Sequence, residues 1–180
     1  MIFLIIIFTT IYIVMQQAIR QEANFASLQL AEQARQDIKN GQGINQLIGQ
    51  NTTEINSLST TPFIIALDSN LNIVASSATL DGKMPSIPKG VITATKTQTS
   101  TTDGANKITW QPETGVRQAI VAITTKDLVS SNNKIAYIVT GQSLRLSENL
   151  VGQLGYQVFF GYLATVLVYL VLLATDRKTD

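Results

Sequence analysis

The residues predict an α+β domain, a five-stranded antiparallel sheet with a long N-terminal helix, flanked by two transmembrane helices. Three observations carry this. Apolar segments long enough to cross a bilayer stand at the two ends, Met1 to Ile19 and Leu154 to Ala174. A run without Gly or Pro follows the first, from Arg20 to Lys39. Between them lie five short segments rich in β-branched residues and bounded by turn formers.

Leu154 to Ala174 contains no charged residue, and Gln157 is its one strongly polar side chain. About 20 such residues cross a hydrocarbon core of about 30 Å. Tyr156 and Tyr162 lie toward one end and Tyr169 toward the other, within reach of the headgroups. A buried core helix of this kind needs a larger protein around it. The first segment lacks a basic start and a small-residue cleavage site, so it reads as an uncleaved anchor rather than a signal peptide. A longer natural start than Met1 stays open. The expected organisation is a transmembrane helix over 1–19, an extracytoplasmic domain over 20–150, a second transmembrane helix over 154–174 and a short cytoplasmic tail over 175–180. Orientation follows from Arg177 and Lys178, which the positive-inside tendency places in the cytoplasm, with Arg20 a weaker argument the other way. Both termini are then cytoplasmic and the chain is a two-pass protein of the cell membrane.

Arg20 to Lys39 is built from Ala, Gln, Glu, Leu and Arg, all good helix formers. Ile19, Ala23, Ala26, Leu30 and Ala34 recur at three- and four-residue intervals, so one apolar stripe continues the membrane helix outward. Asn40-Gly41 stops the helix. A shorter helix is expected around Ile44 to Gly49, then a polar loop through Thr61. Pro62 to Leu67 and Asn72 to Ser77 read as a hairpin about Asp68-Ser69-Asn70. Leu80 to Pro88 is a loop with Gly82, Pro85 and Pro88, a short helix fits Lys89 to Thr97, and Gln98 to Asn106 forms a polar tip. Three more strands are expected at Lys107 to Gln111, Val116 to Thr125 and Ile135 to Gly141. The last two are joined by a turn at Ser130-Ser131-Asn132-Asn133. Ser143 to Asn149 leads into the second membrane helix.

Composition removes whole classes of function. Net charge is +1 with no run of Lys or Arg, so nothing attracts nucleic acid. The chain has no cysteine, hence no disulfide, thiolate zinc site or thiol nucleophile, and no histidine, the commonest general base and metal ligand. Glu113, Asp103 and Asp127 lie in loops without a base, glycine cradle or metal spacing, so no enzyme activity and no cofactor are expected. Asn51-Thr52-Thr53 matches a glycosylation sequon, a short and unspecific pattern. Gly152, Gly155, Gly161 and Ala164 allow close approach of membrane helices, which with the outward stripe suggests a homodimer.

The order of two helices, two strands, a variable connection, three strands and an exit helix is PAS-like. In Phe63-Ile64-Ile65-Ala66-Leu67-Asp68, Ile73-Val74-Ala75-Ser76-Ser77, Thr109-Trp110-Gln111-Pro112 and Val116-Arg117 the chain resembles the extracytoplasmic Cache (PDC-type) sensor domains of bacterial histidine kinases and chemoreceptors. The likeness covers about Ile19 to Asn149. It implies a ligand cup on the sheet face beneath the variable connection. The Arg, aromatic and Asp constellation of the family's amino-acid-binding subgroup is not found at its full spacing. The family usually continues into a kinase or methyl-accepting region, and the expectation is that this chain lacks one or is a fragment of a longer receptor.

The candidate ligand residues are Trp110, Arg117, Tyr137 and Ser143. Trp110, the one tryptophan, ends a strand, and Arg117 opens the next, so the loop between them is expected to bring indole and guanidinium together. Arg117 would grip a carboxylate by paired charge-assisted bonds and Trp110 would wall the cup. The plainer alternative has Trp110 filling the core, Arg117 at the rim and Tyr137 packed in the sheet. The expected function is a membrane-anchored sensor-like domain. It would bind a small ligand such as a carboxylate and signal through its membrane helices to a membrane partner, or be a receptor fragment lacking its kinase. The alternative is a non-sensing envelope scaffold or protein-interaction module on the same fold.

Overall fold

The computed structural model describes residues 2–43, 46, 48, 52–56, 58–95, 104–128 and 134–179, with the backbone alone for 2, 173 and 176–179. The short helix expected at Ile44 to Gly49, the tip from Gln98, the turn at Ser130 to Asn133, the sequon asparagine and Asp103 lie wholly or mainly outside them. The protein is α+β: a five-stranded antiparallel sheet with long helices at the N- and C-terminal ends. It divides into two compact units, Glu22–Arg145 and the pair Met1–Gln21 with Leu146–Asp180.

Helix α1 runs unbroken over Ile2–Lys39, because no Gly or Pro interrupts it. After it come β1 (Thr53–Glu54), β2 (Phe63–Leu67), β3 (Ile73–Ser76), β4 (Ala78–Thr79) and the short helix α2 (Lys89–Thr93). The rest of the sheet is β5 (Asn106–Glu113), β6 (Val116–Thr124) and β7 (Tyr137–Ser143), followed by helix α3 (Arg145–Thr179). The strand order is β3-β2-β7-β6-β5, so β7 is central. β1 and β4 form a separate two-stranded parallel ladder, too short to leave a periodic signal in the sequence.

The β2–β3 turn is set by Asp68, whose Oδ1 accepts from the backbone N–H of Asn70 and Asn72, each at 2.8 Å. The β5–β6 turn needs Gly115, whose φ of 79° lies in the left-handed region where a Cβ is strained.

Both faces of the sheet are apolar, and each is covered. Alternation along β6 sends Val116, Ile120 and Ala122 one way and Val121 and Ile123 the other. On the first face they join Phe63, Ile65 and Leu67 of β2, Tyr137 and Val139 of β7, and Val91 and Ile92 of α2. On the second, Val121, Ile123, Ala66 and Ile138 meet Leu28, Ala31, Ala34 and Ile38 of α1. Helical cover therefore comes from both sides. A sheet apolar on both sides cannot leave either in water.

The buried stripe of α1 also differs from the expected one. Ala23 and Ala34 are buried, but the line runs through Ser27 and Ala31, while Ala26 and Leu30 stay half-exposed. Close approach favours the small side chains, and the sheet supplies the polar partner Ser27 needs. Thr140 Oγ1 donates to the Ser27 carbonyl at 2.6 Å, and Ser27 Oγ donates to the Ala119 carbonyl at 3.2 Å. All of this is fully buried, so each bond offsets a desolvation cost of about 1–3 kcal/mol.

Helices α1 and α3 each contain a stretch long and apolar enough to span a membrane, and neither stretch is buried within the protein. The helix that holds the second stretch begins at Arg145, its first turn capped by Ser143 Oγ, which accepts from the Arg145 N–H at 3.3 Å. Two of the expected small residues take aromatic rings from α1. Phe8 lies against Gly161 and Tyr12 against Gly155, while Gly152 meets nothing.

Gly141 in β7 carries the tightest constraint in the sheet. A Cβ there would stand 2.2 Å from Phe63 Cζ, inside a ring that is itself buried. Gly141→Ala should lower unfolding stability by about 1–3 kcal/mol through overpacking. Chemical denaturation of the chain in micelles measures this, and adding Phe63→Leu should recover part of the loss.

Candidate functional site

Strand register places Trp110 of β5 opposite Gln118 of β6, and Gln118 opposite Ser143 of β7. Directly opposed residues share a face, so these three form a row across the sheet. All are buried: Trp110 is 7% exposed, Gln118 3% and Ser143 6%. With strands about 4.8 Å apart, the row spans about 10 Å. It lies on the face of Phe63 and Ile120, and Trp110 belongs to that packed cluster.

Arg117 is not in this row. It precedes Gln118 on β6, so strand alternation turns it to the other face, where it is exposed. Its backbone carbonyl accepts from the Leu144 N–H at 2.9 Å. The connection from Trp110 to Arg117 thus does not bring indole and guanidinium together, contrary to the expectation, because the parity of β6 separates them. Tyr137 shares the face of Ser143 but stands six residues along β7, about 20 Å away. The Phe63 ring over Gly141 stands between them. Lys126 Nζ sits 4.8 Å from the Tyr137 ring centre, a cation–π contact.

The residue missed from sequence is Gln118. Its signal was present, a long amide inside the apolar run Val116 to Thr124, but which face it shared depended on register. Trp110, Gln118 and Ser143 offer an aromatic wall, an amide and a hydroxyl. That set suits a small polar molecule and supplies no nucleophile–base pair. The Ser143 hydroxyl already caps α3.

A second polar group lies at the β1–β4 ladder. The Thr79 hydroxyl donates to Glu54 Oε2, and the Gly82 N–H reaches Glu54 Oε1 at 3.4 Å. The Thr79 hydroxyl chiefly holds the Glu54 carboxyl below its ordinary value. Glu113 is pushed the other way, first by a hydrogen bond with Asp81 and then by the Asp81 charge. Among the described residues no group of three His, Cys, Asp or Glu is arranged to hold a metal ion.

Comparison with protein-family models, with curated proteins and with solved structures finds no match.

Opposed pKa shifts give opposed pH dependences. Asp68 is held low, first by the Asn72 backbone N–H, so its contribution is present above its unfolded value and lost as pH falls. Glu113 is raised, so its favourable state is the protonated one, lost as pH rises through its folded value. Glu113→Gln should therefore stabilise the chain at neutral pH, with the gain shrinking below the ordinary glutamate value of 4.5. Denaturation midpoints at neutral and acid pH measure it, and a gain equal at both would exclude the Asp81 repulsion as its cause.

Proposed function

We propose that this chain is a membrane-anchored, extracytoplasmic Cache-like sensor module. A small ligand bound on the sheet would shift the disposition of its two apolar helices, with both termini in the cytoplasm. The observation that carries the reading is continuity. α1 passes without a break from its apolar segment onto one face of the sheet. β7, the central strand, leads through the single residue Leu144 into α3. On this reading a change in the sheet would act on both apolar helices, since α1 is continuous and one residue separates β7 from α3. A coupling of about 1–3 kcal/mol suffices for a biological response. The row Trp110, Gln118 and Ser143 is the ligand surface this reading favours, and Arg117 on the other face takes no direct part in it. The partner receiving the signal would be a second copy or another membrane protein.

One observation favours the second reading, a non-sensing scaffold. The face carrying Trp110 is closed by Phe63, Val91 and Ile92, and a filled face suits a protein partner better than a metabolite.

A thermal-shift screen of the full chain in micelles against small carboxylates, amino acids and sugars separates them. A ligand at 100 times its Kd adds about 2.7 kcal/mol, which raises Tm by several degrees for a domain of this size. The sensor reading expects a dose-dependent rise that Gln118→Leu removes. A screen without any rise moves the assignment to the scaffold.

A further inference from the structure

Among the described residues, two buried side-chain polar atoms lack a hydrogen-bond partner, Glu32 Oε2 and Arg35 Nε. One is an acceptor and the other a donor. They belong to residues three apart on α1, which are neighbours on the helix surface. Each side chain is engaged elsewhere through a different atom. Glu32 Oε1 accepts from Gln36 Nε2 at 3.1 Å, and Arg35 Nη2 donates to Asp127 Oδ2 at 2.5 Å. The Arg35–Asp127 ion pair is therefore one-pronged, a single nitrogen on a single oxygen, where the guanidinium fork allows two.

Leaving a buried carboxylate oxygen and a buried guanidinium N–H unpaired is costly, and each is the group the other needs. Turning Arg35 back along its own helix onto Glu32 satisfies both. It gives up Asp127, whose side chain is 40% exposed against 13% for Arg35, so water takes over the abandoned carboxylate at little cost. We propose that Arg35 is a two-position latch. Closed on Asp127, it fastens the turn Lys126–Leu128 after β6 to α1; turned back onto Glu32, it releases that turn. One ion pair replaces another, so the two positions lie close in energy and a modest bias shifts the population. Lys126 of the same turn stands 4.8 Å from the ring centre of Tyr137, the first residue of β7. Release would thus be felt at the start of the central strand. The latch operates whether or not the sheet binds a ligand.

The chain has five arginines, so the full chain in micelles with 15N in arginine alone gives a simple Nε–Hε spectrum. The Arg35 resonance is the one that Arg35→Lys removes. In the wild type it should show exchange between two environments on the microsecond-to-millisecond scale. Asp127→Asn should slow solvent exchange of the Arg35 Hε by about tenfold as the side chain settles on Glu32, and adding Glu32→Gln should abolish that slowing. The Leu128 N–H, which donates to the Thr125 carbonyl at 2.8 Å, reports the turn itself. Its exchange should be several-fold faster in Asp127→Asn and slower in Glu32→Gln. A single Arg35 environment in the wild type would overturn the proposal, and that measurement needs no variant to fold. So would an Hε that exchanges no more slowly in Asp127→Asn, or a Leu128 amide that Glu32→Gln leaves unchanged or accelerates; each would leave an ordinary salt bridge.

Discussion

Everything in the sheet domain depends on how closely α1 lies on the sheet. The approach is possible because Ala23, Ser27, Ala31 and Ala34 present almost no bulk, and because two hydroxyl bonds hold the helix where it is. Thr140, at the middle of the central strand, is bonded to the helix backbone. It thereby joins the strand that leads into α3 to the helix that continues the N-terminal apolar segment. Were this face uncovered, Val121, Ile123 and Ile138 would stand in water, and the sheet would lose the layer that makes it stable. The salt bridge from Arg35 to Asp127, at 2.5 Å, ties the far end of the same helix to the turn after β6.

The opposite face is closed by different means. Phe63 occupies the space that Gly141 leaves, and α2 is drawn down by Val91 and Ile92, with Asn106 Nδ2 donating to the Val91 carbonyl at 2.9 Å. The polar row of Trp110, Gln118 and Ser143 lies on that face beside an apolar cluster. The row offers an aromatic ring, an amide and a hydroxyl, and the chain has neither histidine nor cysteine.

Much of the architecture was legible in the residues. The five strands, the hairpin about Asp68, the long first helix and the two apolar segments each follow from periodicity and turn chemistry acting over short distances. What the residues hid was pairing. The β1–β4 ladder has two residues a side, too few to show a period. The stripe of α1 was misplaced by a few residues because a buried serine looks polar until its hydroxyl's partner, the Ala119 carbonyl 92 positions away, is known. The expected pairing of Trp110 with Arg117 failed for the same reason. Sequence proximity across a hairpin does not say which face each residue takes, whereas register does, and register placed Gln118 there instead.

The proposed function turns on whether a change in the sheet domain reaches the apolar helices. The absence of native cysteine permits a clean test. Phe8→Cys with Gly161→Cys places two thiols at a contact within the apolar unit, and their oxidative cross-linking rate in vesicles can be followed with and without Thr140→Val. The account predicts that losing one buried hydroxyl in the sheet domain changes that rate by about fivefold or more, the lower end of ordinary coupling energies. An unchanged rate in a variant that remains folded would contradict it.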